Sequence, residues 1–218
     1  MGRDDDLNKQ PIEHHRFFVW SGRLLGLWGR CIADMELADP FDLPEEGPIL
    51  FAGNHRSFFD FVMTMAIFSR EGLSCRILAR ASLFENPLMG WALRRWGCIP
   101  LSSHVREAAE ETAAQALMSG QMVAIMPEGR LLTSADRDGK VGEGRPGVVH
   151  LARRTGAVIV PVGFSNTDAA WSVGSPPRPR VRNRPLTKLR VGPDHHVGDG
   201  TPFDEAQLIM SAIGQQVD

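Results

Sequence analysis

The sequence predicts an α/β fold: a single domain with a central mixed, largely parallel sheet flanked by helices, plus an N-terminal amphipathic helix. Two observations support this prediction. From Pro48 onward, short apolar stretches alternate with longer stretches of helical periodicity, as in parallel sheets whose strands are joined by helices. Before that point, residues 13–33 repeat apolar side chains at three- and four-residue steps. We therefore divide the chain into an N-terminal segment, 1–45, and a main domain, 46–218.

The N-terminal segment combines a helix with an acidic linker. In the helix, bulky apolar residues form one stripe, and arginines recurring every seven residues form another. The residues expected to face a membrane are Arg16, Phe17, Trp20, Arg23, Leu24 and Trp28. The pattern suits a helix lying in a membrane interface, and it also suits a helix that covers the core. Residues 34–46 carry six acids, no base and two prolines, which is typical of a linker or surface loop.

The main domain is expected to contain short strands bounded by turn residues and helices of 3.6-residue periodicity. Strands are predicted at 49–52, 77–79, 98–101, 122–126, 158–162 and around 189–191. Helices are predicted at 58–69, 86–96, 104–119, 144–155 and 204–215. Residues 168–188, rich in Pro, Ser, Gly and Arg, are expected to form a long surface excursion. Its basic run, 178–190, either attracts anionic headgroups or is a solvated strand edge.

Composition limits the class of protein. Hydrophobic residues make up 43% of the 218 residues, enough for a core, and the net charge of −2 argues against a dedicated nucleic-acid binder. The three cysteines are far apart and fit neither a disulfide framework nor a zinc site, so a reducing compartment is expected. We expect no secretory signal, because the first ten residues are polar, and no transmembrane helix, because Arg23 and Arg30 interrupt the most apolar N-terminal stretch.

A histidine and an aspartate follow the first strand of the main domain. His55 leaves the strand end just before a helix, where open α/β sheets place their ligand crevices. Asp60, in the first helical turn, is placed to hold the imidazole in one tautomer, which would make His55 a general base near neutral pH. Ser57 and Asp60 also have the spacing of a capping box, so Asp60 is alternatively only a helix cap.

A second polar cluster follows the strand at 122–126. The turn Pro127-Glu128-Gly129-Arg130 offers a carboxylate, a flexible backbone and a guanidinium to a ligand in the same crevice. The alternative is an ordinary surface turn in which Glu128 and Arg130 pair with each other.

Together these blocks resemble the glycerolipid acyltransferase family, which includes 1-acylglycerol-3-phosphate and glycerol-3-phosphate acyltransferases. The block Asn54-His55-x4-Asp60 is followed about 70 residues later by Pro127-Glu128-Gly129. Residues 83–101 resemble the family's segment between these two blocks, and 147–163 resemble its closing strand block. The four blocks occur in the family's order and cover about residues 46–166.

The resemblance implies an O-acyltransferase that moves a fatty acyl group from acyl-CoA or acyl carrier protein to the free hydroxyl of a lysophospholipid, giving phosphatidic acid when the acceptor is 1-acylglycerol-3-phosphate. It implies His55 as general base and Asp60 as its partner, with direct attack on the thioester and neither metal nor cofactor. The residues implied in substrate binding are Asn54, Arg56, Ser57, Glu128, Gly129, Arg130 and Arg106. Amides near Ser57 are further expected to bind the thioester oxyanion.

A lipid acceptor also implies a membrane surface as partner. The main domain, 46–218, is then the acyltransferase domain, and residues 1–45 are its membrane-interface helix and acidic linker. The expected location is cytoplasmic, with the protein associated peripherally with the inner face of the cell membrane.

Two departures from the family pattern concern the acceptor. Ser103 stands where many members carry an arginine that helps to hold the acceptor phosphate, and Arg106 is the candidate replacement. The usual Glu-Gly-Thr-Arg reads Glu128-Gly129-Arg130-Leu131. Two alternatives therefore stay open. One is the same chemistry on a lysophospholipid lacking a free phosphate, a glycolipid or an amino lipid, and the other is a catalytically silent lipid-binding protein.

Overall fold

The computed structural model describes residues 12–132 and 141–217. The strands are β1 (Asp34–Leu37), β2 (Ile49–Gly53), β3 (Cys75–Arg80), β4 (Ile99–Leu101), β5 (Met122–Ile125), β6 (Val158–Ser165) and β7 (Leu186–Val191). The helices are α1 (Ile12–Gly29), α2 (Phe59–Arg70), α3 (Pro87–Arg95), α4 (Arg106–Met118), α5 (Gly147–Thr155), α6 (Thr167–Ala170) and α7 (Pro202–Gln215). The polar stretch over the first ten residues, and with it the expectation about a secretory signal, lies outside the described residues.

The seven strands form one sheet in the order β1-β7-β6-β2-β5-β3-β4. Neighbouring strands are parallel except for β6 and β7, so β7 and β1 run opposite to the other five. The sheet is therefore mixed and largely parallel, and the predicted fold class is confirmed. β2 lies in the middle, between β6 and β5, and the carboxyl ends of these three strands meet at the same edge.

Two helical layers cover the sheet, and β2 shows how its side chains divide between them. Ile49 and Phe51 point into one core, whereas Leu50 and Ala52 point into the other, because successive strand residues face opposite sides. The first core lies under α1, α2 and α3 and is rich in phenylalanine and methionine; we call this side the aromatic layer. The second lies under α4, α5 and α7, its buried residues are Leu, Ile, Val, Ala and one Met, and we call it the aliphatic layer.

Helix α1 packs on α2 through glycines. A Cβ atom on Gly22 would lie 2.7 Å from the carbonyl oxygen of Met65, and one on Gly26 would lie 3.1 Å from Cβ of Ala66. Only residues without a side chain allow the two helices to approach this closely. The helix is confirmed, and its small face is the one that covers the core.

The bulky stripe of α1 consequently points outward. Trp20 is 62% exposed and Leu27 is 64% exposed. Of the six residues expected to face a membrane, five are exposed and Phe17 is half-buried. The Phe17 ring lies edge-on to Trp91 of α3 at 5.6 Å. Neither of the two expectations excludes the other, because the helix covers the core with one face and presents large apolar side chains with the opposite face.

Several elements differ from the expected set. Residues 34–37, expected in a linker, form β1, because Met35 is buried and β7 supplies a partner strand. Strand β6 continues to Ser165, three residues beyond its expected end. The short helix α6 follows it and begins one residue before the expected excursion, 168–188. Strand β7 begins at Leu186, inside that excursion and three residues before its expected start. Among the described residues, no helix is long and apolar enough to cross a bilayer.

Candidate active site

The candidate site lies at the carboxyl edge of the three central strands. The His55 loop leaves β2, the Glu128 turn leaves β5, and the segment leading into α6 leaves β6. Because β2 pairs with both of the others, these three loops are neighbours in space. The edge is where an open α/β sheet forms its ligand crevice.

His55 and Asp60 are joined by a hydrogen bond. Nδ1 of His55 lies 2.9 Å from Oδ2 of Asp60, the carboxylate is fully buried, and the histidine side chain is 25% exposed. A carboxylate only accepts, so Nδ1 carries a proton, and in the neutral imidazole Nε2 then keeps its lone pair. The pair therefore presents a basic nitrogen whose orientation is set by a buried acid.

Asp60 also shapes the loop that carries His55. Its Oδ2 accepts from the backbone N–H groups of Arg56 and Ser57, at 2.7 and 2.9 Å, and its Oδ1 accepts from the hydroxyl of Thr167. Asp60 thus fills both of the roles considered from the sequence: it binds the imidazole, and it accepts from backbone amides just before α2. The amides of Arg56 and Ser57 already donate to Asp60, so oxyanion binding near Ser57 would need another donor, and that expectation stays a prediction.

Asn54 and Ser57 attach the loop to β6 and α6. The Asn54 side chain donates to the carbonyl of Phe164 at 3.0 Å and accepts from its N–H at 2.7 Å, as a further strand residue would. The Ser57 hydroxyl donates to the carbonyl of Thr167 at 3.0 Å and accepts from the N–H of Phe59 at 2.8 Å. Both side chains are buried, so their geometry is that of residues that position His55.

Glu128 is buried too and fixes His55 from the other side. Its Oε2 accepts from the His55 N–H, and its Oε1 accepts from the N–H of Gly142, both at 2.8 Å. Glu128 is therefore not the surface partner of Arg130 that the sequence left as an alternative. Gly129 and Arg130 are exposed at the turn, and Gly129 has a left-handed φ of 66°, which favours glycine.

The remaining two predicted binding residues make ion pairs. Arg56 contacts Asp168 through Nε at 3.4 Å. Arg106 lies on α4, exposed, with Nε 2.8 Å from Glu110 one turn along the same helix. An arginine already paired in this way is less available to replace the arginine that is missing at Ser103.

Sequence reasoning missed Thr167 and Arg145. Thr167 lies beyond the expected end of β6, and a longer strand is the signal that would have placed it at the same edge as His55. Arg145 precedes α5, and its N–H donates to the carbonyl of Pro127 at 2.9 Å. No motif in the sequence around Arg145 indicates its position at this turn.

Other titratable groups lie in the core. Burial raises the pKa of the Cys98 thiol to about 12 and raises the pKa of Cys75 well above its usual value. In residues 12–132 and 141–217, no group of three or more histidines, cysteines or acids is placed to hold a metal ion.

The fold and this geometry define a class: an α/β protein with a histidine–aspartate pair at the carboxyl edge of its sheet. The sequence profile of the Acyltransferase family matches residues 35–165, more than half of the chain. The chain therefore belongs to the acyltransferase family.

Curated relatives and one solved structure agree with that placement. The chain is 26% identical over 131 residues to the chloroplastic 1-acyl-sn-glycerol-3-phosphate acyltransferase LPAT1 of Arabidopsis thaliana, covering 59% of this chain and 35% of that protein. It is 28% identical over 130 residues to the 1-acyl-sn-glycerol-3-phosphate acyltransferase of Borreliella burgdorferi, covering 58% and 49%. The chain matches between a third and a half of the length of these relatives.

The fold is also that of a solved structure, the 1-acyl-sn-glycerophosphate acyltransferase PlsC from Thermotoga maritima. The TM-score is 0.65, the sequence identity is 18%, and the match covers 90% of this chain and 78% of the other. At this identity the likeness establishes the architecture.

Proposed function

We propose that this protein acylates the free hydroxyl of 1-acylglycerol-3-phosphate, using acyl-CoA or acyl carrier protein as donor and giving phosphatidic acid. The observation that carries the proposal is the His55–Asp60 pair, with Nδ1 held by the buried carboxylate at 2.9 Å. The named activity of the relatives supports the choice of acceptor.

In the proposed reaction, Nε2 of His55 takes the proton of the acceptor hydroxyl as its oxygen attacks the thioester carbonyl. A carbon–oxygen bond forms and a tetrahedral intermediate results. The carbon–sulfur bond then breaks, and the imidazolium returns its proton to the departing thiolate. Asp60 stabilises the imidazolium between these two steps, and Asn54, Ser57 and Glu128 keep the loop in position.

The test is thiol release from acyl-CoA by the purified chain, with and without lysophosphatidate. We expect release that depends on the acceptor. His55→Ala should lower kcat by about 10²- to 10⁴-fold, the usual contribution of a general base. His150→Ala, which removes an exposed histidine of α5, serves as the matched control. Full transfer activity in His55→Ala would refute the mechanism.

A second acceptor class is favoured by one observation. Ser103 replaces the expected arginine, and Arg106 is paired with Glu110, so the family's usual phosphate contact is weakened here. A lysophospholipid without a free phosphate, a glycolipid or an amino lipid is therefore the second candidate. Competition between lysophosphatidate and such acceptors decides, because a strong preference for lysophosphatidate removes the alternative. Vesicle binding without turnover on any acceptor would instead indicate a silent lipid-binding protein.

We further propose that the outer surface of the aromatic layer docks on a membrane, at the inner face of the cell membrane. Large apolar side chains are exposed there on two neighbouring helices: Trp20, Leu24, Leu27 and Trp28 on α1, and Leu88, Met89 and Trp91 on α3. Arg16 and Arg23 of α1 and Arg30, the residue that follows the helix, are exposed beside them. Bulky apolar groups that enter the interface beside cations that meet anionic headgroups are the usual composition of such a surface.

The basic run and an aromatic cluster join this surface to the site. The N–H of Arg180 donates to the carbonyl of Cys31 at 2.8 Å, which holds the basic run against the end of α1. The Trp171 ring lies 6.0 Å from that of Trp28 and 5.7 Å from that of Phe58, the residue immediately before α2. In the proposed route, a lipid moves from the bilayer past these rings toward the loop that carries His55.

Co-sedimentation with vesicles containing phosphatidylglycerol tests the docking surface. The double variant Trp20→Ser/Leu27→Ser should bind at least about tenfold more weakly, because burial of either side chain is worth about 1.5–3 kcal/mol. Phe203→Ser/Leu208→Ser, which alters two exposed apolar residues of α7, is the matched control. Equal losses in the two variants would overturn the assignment.

A further inference from the structure

Arg145 lies against the turn that carries Glu128. A Cβ atom on Gly129 would stand 2.8 Å from both Cδ and Nε of Arg145 and 3.0 Å from its Cζ. The guanidinium thus lies over the main chain of Gly129, one residue from the carboxylate that holds His55. The hydrogen bond from the Arg145 N–H to Pro127 fixes the root of the side chain at the same turn.

Glycine is required at position 129 for space as well as for its left-handed φ. Gly156 has nearly the same φ, 67° against 66°, but nothing lies within 4 Å of the position of its Cβ. At Gly156 the backbone alone calls for glycine, whereas at Gly129 the space is occupied by Arg145. The turn therefore seats the Arg145 side chain one residue from Glu128, which accepts from the His55 N–H.

The charge of Arg145 is available for a ligand. Arg145 is exposed, and no carboxylate among residues 12–132 and 141–217 forms an ion pair with it. Arg106, by contrast, is paired with Glu110. A guanidinium recognises a phosphate through two parallel hydrogen bonds, which makes it the expected partner for a phosphate monoester.

We infer that Arg145, seated by Gly129, binds the phosphate monoester of the lipid acceptor and replaces the arginine that is absent at Ser103. The inference rests on the proposed function for the reaction and adds a specificity-determining residue to it. It assigns the acceptor's phosphate to Arg145, although the donor's coenzyme A also carries phosphate groups of the same chemistry.

Equilibrium binding separates the inference from the activity. Dissociation constants are measured by calorimetry for a short-chain lysophosphatidate and for the monoacylglycerol of the same chain, which lacks the phosphate. Arg145→Gln should weaken lysophosphatidate binding about 10- to 100-fold and leave monoacylglycerol binding unchanged. Arg154→Gln, at an exposed arginine of α5 that pairs with Glu111, is the control.

The outcomes are distinct. Lysophosphatidate binding that is equal in Arg145→Gln and wild type overturns the inference. Weakened binding of acyl-CoA with unchanged binding of lysophosphatidate overturns it as well, by moving Arg145 to the donor. Absence of lysophosphatidate turnover in the wild type would count against the proposed function alone, because the binding ratio requires no turnover.

A pair of glycine variants tests the seat without removing a charge. Gly129→Ala should weaken lysophosphatidate binding about tenfold, because the new methyl group displaces the flexible arginine side chain. Gly156→Ala imposes the same backbone strain at a site with free space, and its lysophosphatidate binding should equal that of wild type. Equal lysophosphatidate binding in the two variants would show that the space at Gly129 does not position Arg145 for binding.

Discussion

The two helical layers differ in what they present to their surroundings. The aromatic layer buries glycines on α1 and exposes tryptophan and leucine, whereas the aliphatic layer exposes paired charges such as Arg106–Glu110 and Arg154–Glu111. The site divides in the same way, because His55 precedes α2, whose first turn holds Asp60, and Arg145 precedes α5. A single sheet thus separates a side that exposes large apolar side chains on α1 and α3 from a side that exposes paired charges on α4 and α5, with the candidate site at the edge they share.

The largest expected effect concerns the thiols, which all lie in the aromatic layer. Burial raises the pKa of Cys98 to about 12, so only about one in 10⁴ of these thiols is ionised at pH 8. Cys31 is exposed at the end of α1. We expect a maleimide at pH 8 to modify Cys31 alone, as measured by peptide mass, and anionic vesicles to slow that reaction. If vesicles left the rate of modification unchanged, Cys31 would lie outside the membrane-docking surface.

The next effect separates the contributions of the two layers to catalysis. Asp60→Asn should lower kcat about 10²- to 10⁴-fold for every acceptor alike, because the imidazole loses its oriented carboxylate. Acceptor panels with steady-state kinetics check this. Asp168→Asn, whose carboxylate pairs with Arg56, should cost less than about tenfold. If the loss of kcat in Asp60→Asn depended on the acceptor headgroup, the two layers would not contribute separately to catalysis.

A smaller effect concerns the stability of the α1–α2 contact. Gly22→Ala should lower the free energy of unfolding by about 1–3 kcal/mol, because its methyl would overlap α2. Gly214→Ala in α7 meets its nearest atom at 3.5 Å and should raise the free energy of unfolding by up to about 1 kcal/mol. Urea denaturation followed by circular dichroism measures both. Stabilisation by Gly22→Ala would show that α1 does not pack as described.

The smallest effect is expected on the aliphatic layer. The hydrogen bond from Arg154 lowers the pKa of the exposed Glu111 carboxyl. A lowered pKa stabilises the fold above the ordinary value of 4.5 and loses that effect as the pH falls through the folded value. Because both side chains are in solvent, Glu111→Gln should leave the melting temperature at pH 7 unchanged. A clear drop would show that this surface pair is stronger than its exposure indicates.

Most of the sheet was predictable, because its strands are short apolar runs and its helices repeat with their own period. β1 was not, since Met35 stands among acids and its partner strand lies about 150 residues away in sequence. The outward direction of the α1 stripe could not be predicted either. Hydrophobicity assigns bulky residues to the core, whereas the glycine contact with α2 exists only once both helices are placed.

The candidate site was predictable in its chemistry and less so in its geometry. His55 and Asp60 were identified from their position after a strand and from the family resemblance, and the structure brings them together. Asn54, Ser57 and Glu128 were expected at the substrate, but their hydrogen bonds run to the protein's own backbone. Those partners lie on segments distant in sequence, so residue spacing within a single motif does not identify them.

The ties from the His55 loop to β6 have a consequence for the order of synthesis. The contacts Asn54–Phe164, Ser57–Thr167 and Asp60–Thr167 each span 107–110 residues of chain. The histidine is therefore translated long before the segment that orients it, and long-range contacts of this kind form late in folding. A nascent chain on the ribosome carries His55 before the residues that orient it, so the candidate site is incomplete until β6 has joined the sheet.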